Sequence, residues 1–124
     1  MPAFNDNNMP FVFVYFDPEV DCMVCYSILR EFSVLQKTYP EKKFAGIYRN
    51  KKGDFNYFLL IMENDNLDID FFWDKEGLIQ SKFNLSDNPY FLAFSSEGKL
   101  VVAQSLNDSL KLSKKKVLKI LNEI

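Results

Sequence analysis

FVFVYFDPEVDCMVC, residues 11–25, is the stretch that decides the fold of this 124-residue chain. Its first six residues are apolar and rich in valine and aromatic side chains, which predicts a strand over 11–16. A turn-like loop broken by Pro18 follows, and Cys22 and Cys25 then open a predicted helix over 22–38. They are the only two cysteines of the chain. A C-x-x-C pair in this context favours a dithiol redox site.

The two cysteines differ in their expected surroundings. Cys22 is expected at the helix start, where unpaired backbone N–H groups and the helix dipole favour a thiolate. Cys25 is expected one turn further in, close enough to form a disulfide with Cys22. Two alternatives stay open, namely buried thiols that act only as small hydrophobic side chains and half of a zinc site. Zinc takes about four ligands, and the chain has no histidine, so such a site needs carboxylates or a second chain.

Composition excludes several classes of function. The hydrophobic content of 48%, with 13 Phe and 6 Tyr, is enough for the core of one domain. The net charge of −2 argues against nucleic acid and anionic membranes as partners. No segment approaches the roughly 18 apolar residues of a membrane helix, and residues 1–8 lack the pattern of an export signal. The absence of histidine removes imidazole-based catalysis. The four glycines form no phosphate-binding loop, so we predict no cofactor and no metal.

Hydrophobic periodicity and turn residues predict alternating elements. The segment 55–62 fits a buried strand or a buried helix, and we predict a helix because parallel strands on either side of it need a crossover. Pro40 is expected to stop the first helix, Gly98 to lie in a hairpin turn, and Ser113 to cap the last helix. The predicted strands are 11–16, 44–49, 69–74, 89–94 and 99–105, and the predicted helices are 22–38, 55–62, 78–83 and 114–122.

This order of elements, with a C-x-x-C at the start of the first helix, resembles the thioredoxin fold. Residues 88–101, NPYFLAFSSEGKLV, are similar to the family's strand that begins with a cis-proline beside the dithiol. The pattern is especially similar to the TlpA-like and thiol-specific-antioxidant branch of bacterial thiol-disulfide oxidoreductases. The resemblance implies a single α/β domain over 11–124, with a central mixed β-sheet flanked by helices and an N-terminal extension over 1–10.

The resemblance also implies a mechanism and a setting. Cys22 would attack a substrate disulfide, and Cys25 would resolve the mixed disulfide. Pro89 would be cis, and the backbone of Asn88 would bind an extended peptide substrate. The implied partner is a protein thiol or disulfide, and a monomer is expected. The branch favours the bacterial envelope if a leader has been removed, and the cytoplasm otherwise.

Asp21 and the intervening Met23-Val24, which brings no positive charge to help a thiolate, depart from the family at positions that concern activity. Asp21 stands where tryptophan is common, and its carboxylate should raise the pKa of the Cys22 thiol. We therefore expect a weak and relatively reducing dithiol.

Two alternative functions follow from the sequence. One is a non-catalytic binding module, with Phe4, Phe72, Trp73 and Tyr90 as candidate contacts. The other is a peroxiredoxin-like peroxide reductase, which fits less well because no serine or threonine lies just before Cys22 and the only arginines are Arg30 and Arg49.

Overall fold

A computed structural model describes residues 9–18, 23–49, 60, 63–86, 89–106 and 114–124 of the chain. Within these residues, strands β1 to β5 form one sheet, and helices α1 to α3 pack against it. The strands are β1 Phe11–Phe16, β2 Lys43–Tyr48, β3 Asp70–Trp73, β4 Tyr90–Phe94 and β5 Leu100–Ser105, and the helices are α1 Met23–Thr38, α2 Leu78–Lys82 and α3 Lys114–Glu123.

The sheet is mixed, with the strand order β3-β2-β1-β4-β5. β1 pairs in parallel with β2, and β2 pairs in parallel with β3. β4 is antiparallel to β1 and to β5. Helix α1 is the crossover that two adjacent parallel strands require. The predicted mixed sheet flanked by helices is therefore confirmed.

Most element boundaries agree with the sequence prediction to within one or two residues. β2 begins at Lys43, and β3 ends at Trp73, so Asp74 lies outside the strand that was predicted to contain it. In the predicted helix 55–62, Leu60 is helical, as are residues 63–65. The rest of that prediction, 55–59 and 61–62, and the predicted cap at Ser113 lie outside the described residues.

The core has two layers, one on each face of the sheet. Val12, Val14 and Phe16 of β1 pack with α1 and α3, whereas Phe11, Phe13 and Tyr15 pack on the opposite face with α2. All six side chains of β1 are buried. A central strand covered on both faces explains why residues 11–16 form an uninterrupted apolar run. Among the described residues, no helix is long and apolar enough to cross a bilayer.

Candidate active site

The candidate site lies at the sheet edge where the parallel strands β1, β2 and β3 end. β1 stops at Phe16, and α1 begins on the same side, since the ring of Tyr26 lies 6.2 Å from the ring of Phe16. Cys25 falls in the first turn of α1, and its side chain is fully buried in the core between α1 and the sheet. No cysteine is free in the part of the chain that the structure describes. Cys25 is therefore sheltered from solvent in the first turn of α1.

Pro89 lies at the same edge of the sheet. It directly precedes β4, whose first residue Tyr90 is paired with Tyr15 near the end of β1. Its carbonyl oxygen accepts a hydrogen bond from the backbone N–H of Leu106 at 2.8 Å, which holds the start of β4 against the end of β5. The structure thus brings Pro89 and the end of β1 to the same edge of the sheet.

Three of the predicted site residues lie outside the described residues. These are Cys22, its neighbour Asp21, and Asn88. The peptide bonds between described residues include no cis bond, but the bond from Asn88 to Pro89 is not among them. The nucleophilic role of Cys22, the effect of Asp21 and the cis state of Pro89 therefore stay predictions.

A buried carboxylate at this edge was not predicted from the sequence. Asp74 follows β3 directly and is only 5% exposed. Its Oδ2 accepts a hydrogen bond from the Tyr15 hydroxyl at 2.6 Å, and its two oxygens accept bonds from the backbone N–H groups of Ile79 and Gln80 in α2. Burial, with the Asp74 hydrogen bond as the second cause, raises the pKa of the Tyr15 hydroxyl well above its usual range.

Arg49 belongs to the same group of side chains. Its positive charge acts on Tyr15 in the opposite direction from Asp74 and lowers the pKa of the hydroxyl. The guanidinium also covers Gly77, where a Cβ atom would lie 2.7 Å from the guanidinium carbon. Tyr15, Asp74 and Arg49 therefore connect the ends of the parallel strands to the start of α2. The sequence did contain a signal for this group of side chains, because Asp74 and Arg49 are charged residues at the ends of apolar strands. The carboxyl ends of parallel strands gather functional side chains.

Aromatic side chains form a row across the three strand ends. Phe16, Tyr48 and Trp73 are register partners on β1, β2 and β3. Phe16 and Tyr48 pack in the core layer that α1 covers. The rings of Phe16 and Tyr48 are 6.5 Å apart. We call Tyr26, Phe16, Tyr48 and Trp73 the aromatic row.

The candidate contact residues of the binding-module alternative have different surroundings. Trp73 is 39% exposed, and the ammonium group of Lys75 lies 5.5 Å from the centre of its ring. Phe72 and Tyr90 are partly buried and pack against the core on the opposite face of the sheet. Phe4 lies outside the described residues. Trp73 is therefore the most accessible of the described aromatic candidates.

The described residues do not suggest a metal centre. No group of three or more His, Cys, Asp or Glu side chains among them could hold a metal ion.

Solved structures resemble this chain over nearly its whole length. A secreted disulfide oxidoreductase of Mycobacterium tuberculosis, homologous to DsbE of Escherichia coli, matches with a TM-score of 0.75 and 19% identity, over 94% of this chain and 83% of that one. The exposed lipoprotein thioredoxin Etrx1 of Streptococcus pneumoniae matches with a TM-score of 0.73 and 16% identity, over 94% and 86% of the two chains. A thiol-disulfide oxidoreductase of Bacteroides fragilis matches with a TM-score of 0.71 and 17% identity, over 98% and 85%.

The fold of this chain is therefore thioredoxin-like, as the sequence resemblance implied. Its structural neighbours are thiol-disulfide oxidoreductases, including proteins of the DsbE type. No protein-family model and no curated protein matches the sequence.

Proposed function

We propose that this protein is a thiol-disulfide oxidoreductase that uses Cys22 and Cys25 to exchange electrons with protein disulfides. The observation that carries the proposal is the position of Cys25, which is buried in the first turn of α1 at the sheet edge shared with Pro89. The fold supports the proposal because its neighbours carry out the same class of reaction.

The proposed reaction reduces the substrate. The Cys22 thiolate attacks one sulfur of a substrate disulfide, and the other substrate sulfur leaves as a thiolate that takes up a proton. Cys25 then loses its proton and attacks the sulfur of Cys22, which releases the second substrate thiol. Two electrons pass to the substrate, and the protein keeps a Cys22–Cys25 disulfide. An external dithiol returns the protein to its reduced form.

Turnover with a protein disulfide tests the proposal. In an insulin-reduction assay with dithiothreitol, the native protein should accelerate precipitation of the insulin B chain, and Cys22→Ser should reduce the rate to that of dithiothreitol alone. Reduced Cys25→Ser, mixed with the disulfide substrate after dithiothreitol has been removed, should instead accumulate a mixed disulfide with the substrate, visible by mass spectrometry. Val34→Ser, at an exposed position of the same helix, serves as the control and should keep the native rate. Equal rates for native protein and Cys22→Ser would refute the proposal.

We also propose that Asp21 makes the dithiol weakly reactive and reducing. A carboxylate next to Cys22 disfavours the thiolate and so raises the pKa of the thiol. The pH dependence of Cys22 alkylation in Cys25→Ser should give a pKa above the free value of about 8.5, and Asp21→Asn should lower it. A pKa well below that value in the parent protein would contradict this expectation.

The cellular setting proposed here is the bacterial envelope, with a protein substrate and a monomeric enzyme. The support is that one structural neighbour is a secreted protein and another is an exposed lipoprotein. Fractionation of cells that express the native gene tests the compartment, and sedimentation equilibrium tests the monomer.

A second candidate function is that of a non-catalytic thioredoxin-like binding module. The exposure of Trp73 favours it, because a partly exposed indole is a common anchor for a protein partner. The insulin assay separates the two functions, since a binding module would give only the background rate.

A further inference from the structure

Side chains of α2 and β4 hold the chain just before Pro89. Each polar group of Ser86 takes part in a hydrogen bond. Its hydroxyl lies 2.9 Å from the Tyr90 hydroxyl, and its backbone N–H donates to the same oxygen at 3.4 Å. Its carbonyl oxygen accepts a hydrogen bond from the side-chain amide of Gln80 at 3.4 Å. Ser86 is therefore held from β4 by Tyr90 and from α2 by Gln80.

The bond between Ser86 and Tyr90 encloses Pro89. The two residues are four positions apart, so the bond restricts every backbone torsion between them, including those of Pro89. The Tyr90 ring packs against the core and is partly buried, which fixes the place of its hydroxyl. The carbonyl oxygen of Pro89 accepts a hydrogen bond from the N–H of Leu106 at 2.8 Å. Pro89 thus lies between a side-chain bond that closes around it and a backbone bond to the residue after β5.

The same side chains connect Pro89 to the buried pair of Tyr15 and Asp74. The backbone N–H of Gln80 donates to Oδ2 of Asp74 at 3.2 Å, and the Tyr15 hydroxyl donates to the same oxygen. Tyr90 is the register partner of Tyr15 on β1. These contacts form a closed circuit that passes through β1, the end of β3, α2 and the start of β4. The conformation of the chain at Pro89 is therefore tied to the carboxyl ends of the parallel strands.

We propose that Tyr90 is a positioning residue whose hydroxyl, through Ser86, holds Pro89 in the orientation in which this edge of the sheet binds a polypeptide disulfide. Pro89 lies at the same edge as Cys25 in the first turn of α1, so a polypeptide that reaches the proposed dithiol meets Pro89. This inference rests on the proposed oxidoreductase function. It assigns to the Tyr90 hydroxyl a contribution to substrate binding and none to the exchange between sulfurs.

Amide hydrogen exchange in the reduced protein tests the positioning without any substrate. The N–H of Leu106 is bonded to Pro89, so its exchange rate reports whether Pro89 keeps its place. Tyr90→Phe removes the hydroxyl and keeps the ring, and exchange at Leu106 should become about fivefold faster, as for the loss of one hydrogen bond. Ser86→Ala should have the same effect, and Ser86→Thr, which keeps a hydroxyl, should keep the native rate. Equal exchange at Leu106 in the native protein and Tyr90→Phe would overturn the positioning role.

Single-turnover reduction of insulin tests the consequence for substrate binding. Reduced protein, freed of dithiothreitol, is mixed with excess insulin, and the loss of its thiols gives the maximal rate and the half-saturating insulin concentration. Tyr90→Phe should raise the half-saturating concentration about fivefold and change the maximal rate by less than about twofold. The effects of Tyr90→Phe and Ser86→Ala should not add in the double variant, because both remove the same bond. Additive effects would contradict the proposal.

Tyr39→Phe is the matched control for loss of a tyrosine hydroxyl. Tyr39 lies at the other end of the sheet, where its carbonyl oxygen accepts a hydrogen bond from the N–H of Lys42 just before β2. This variant should keep the native exchange rate at Leu106 and the native half-saturating concentration. The same changes in Tyr39→Phe as in Tyr90→Phe would overturn the assignment to Tyr90.

The two measurements separate this inference from the proposed function. Failure of the native protein to reduce insulin would refute the oxidoreductase function, whereas faster exchange at Leu106 in Tyr90→Phe would still support the hold of Tyr90 on Pro89. Reduction of insulin with the same half-saturating concentration in the native protein and Tyr90→Phe would support the oxidoreductase function and refute the role of Tyr90 in substrate binding.

Discussion

Tyr15 and Asp74 show how one residue pair can hold the end of a sheet together. Their side chains are joined by a buried hydrogen bond of 2.6 Å between positions 59 residues apart. Asp74 also accepts hydrogen bonds from two backbone N–H groups of α2. A buried carboxylate is tolerated because its oxygens are hydrogen-bonded. The pair links β1 to the start of α2 just before the chain leaves β1 for the C-x-x-C.

Replacing Tyr15 with Phe should lower stability and change its dependence on alkaline pH. At pH 7 the variant leaves a buried carboxylate with one donor fewer, which should cost about 1–3 kcal/mol in the free energy of unfolding. The raised pKa of Tyr15 means that the folded state keeps its proton where the unfolded chain releases it, above about pH 10. The native protein gains stability from this group below that pH and loses the gain as pH rises further.

Urea unfolding between pH 7 and pH 11 measures both effects of Tyr15→Phe. The curve of stability against pH should fall less steeply above about pH 10 in the variant than in the native protein. Tyr48, whose pKa burial also raises, should leave part of the alkaline decline in place. Parallel curves for native protein and variant would show that Tyr15 does not contribute to it.

At the scale of elements, Phe71 of β3 and Leu29 of α1 can pack closely on β2 because Gly46 has no side chain. A Cβ atom at this position would lie 2.5 Å from Cε1 of Phe71 and 3.3 Å from Cδ2 of Leu29. Gly46 is paired with Val14 on β1 and with Phe71 on β3. The Phe71 ring therefore lies over the backbone of β2 and fills the space between the strand and the helix.

The variant Gly46→Ala should be destabilised by overpacking. The added methyl group requires the Phe71 ring to move, and such changes in a packed core cost about 1–3 kcal/mol. Phe71→Leu in the same chain should restore part of the loss, because the smaller side chain vacates the clashing position. Urea unfolding of both single variants and the double variant gives the coupling energy. Additive losses would contradict the proposed clash.

At the scale of the whole molecule, strand pairing begins close to the start of the described chain. The backbone N–H of Lys43 donates to the carbonyl oxygen of Pro10 at 2.8 Å, just before the first paired residues of β1 and β2. β1 is the central strand of the sheet, with β2 on one side and β4 on the other. We propose residues 11–124 as the domain and residues 1–10 as an extension whose last residue, Pro10, still accepts this hydrogen bond at the edge of the domain.

A variant that begins at Met9 should therefore fold as the full chain does. Its free energy of unfolding should change by less than about 0.5 kcal/mol, with the same dependence on urea concentration. A variant that begins at Phe13 is the comparison, since it lacks the buried Phe11 and Val12 and should lose several-fold more stability. A loss above about 1 kcal/mol in the variant that begins at Met9 would show that residues 1–8 stabilise the fold.

The sequence by itself determined the local elements of this protein. The apolar run 11–16, the periodicity of residues 25–35, Pro40 after α1 and Gly98 in the hairpin each act over a few residues, and the predicted elements agree closely with β1, α1, β4 and β5. The predicted elements also put the C-x-x-C directly after the first strand and its loop, and their order carried the resemblance to the thioredoxin fold. Periodicity alone left the segment 55–62 ambiguous, because a buried apolar run fits both a strand and a helix, and the helix was predicted from the crossover that parallel strands need.

Only the tertiary structure decided which distant side chains meet. The hydrogen bond from Tyr15 to Asp74 and the alignment of Phe16, Tyr48 and Trp73 depend on strand order and register. Periodicity within one strand says which residues share a face, but not which residues of another strand lie beside them. The C-x-x-C thus indicated the kind of chemistry, and strand pairing set the buried carboxylate and the exposed tryptophan at the same end of the sheet.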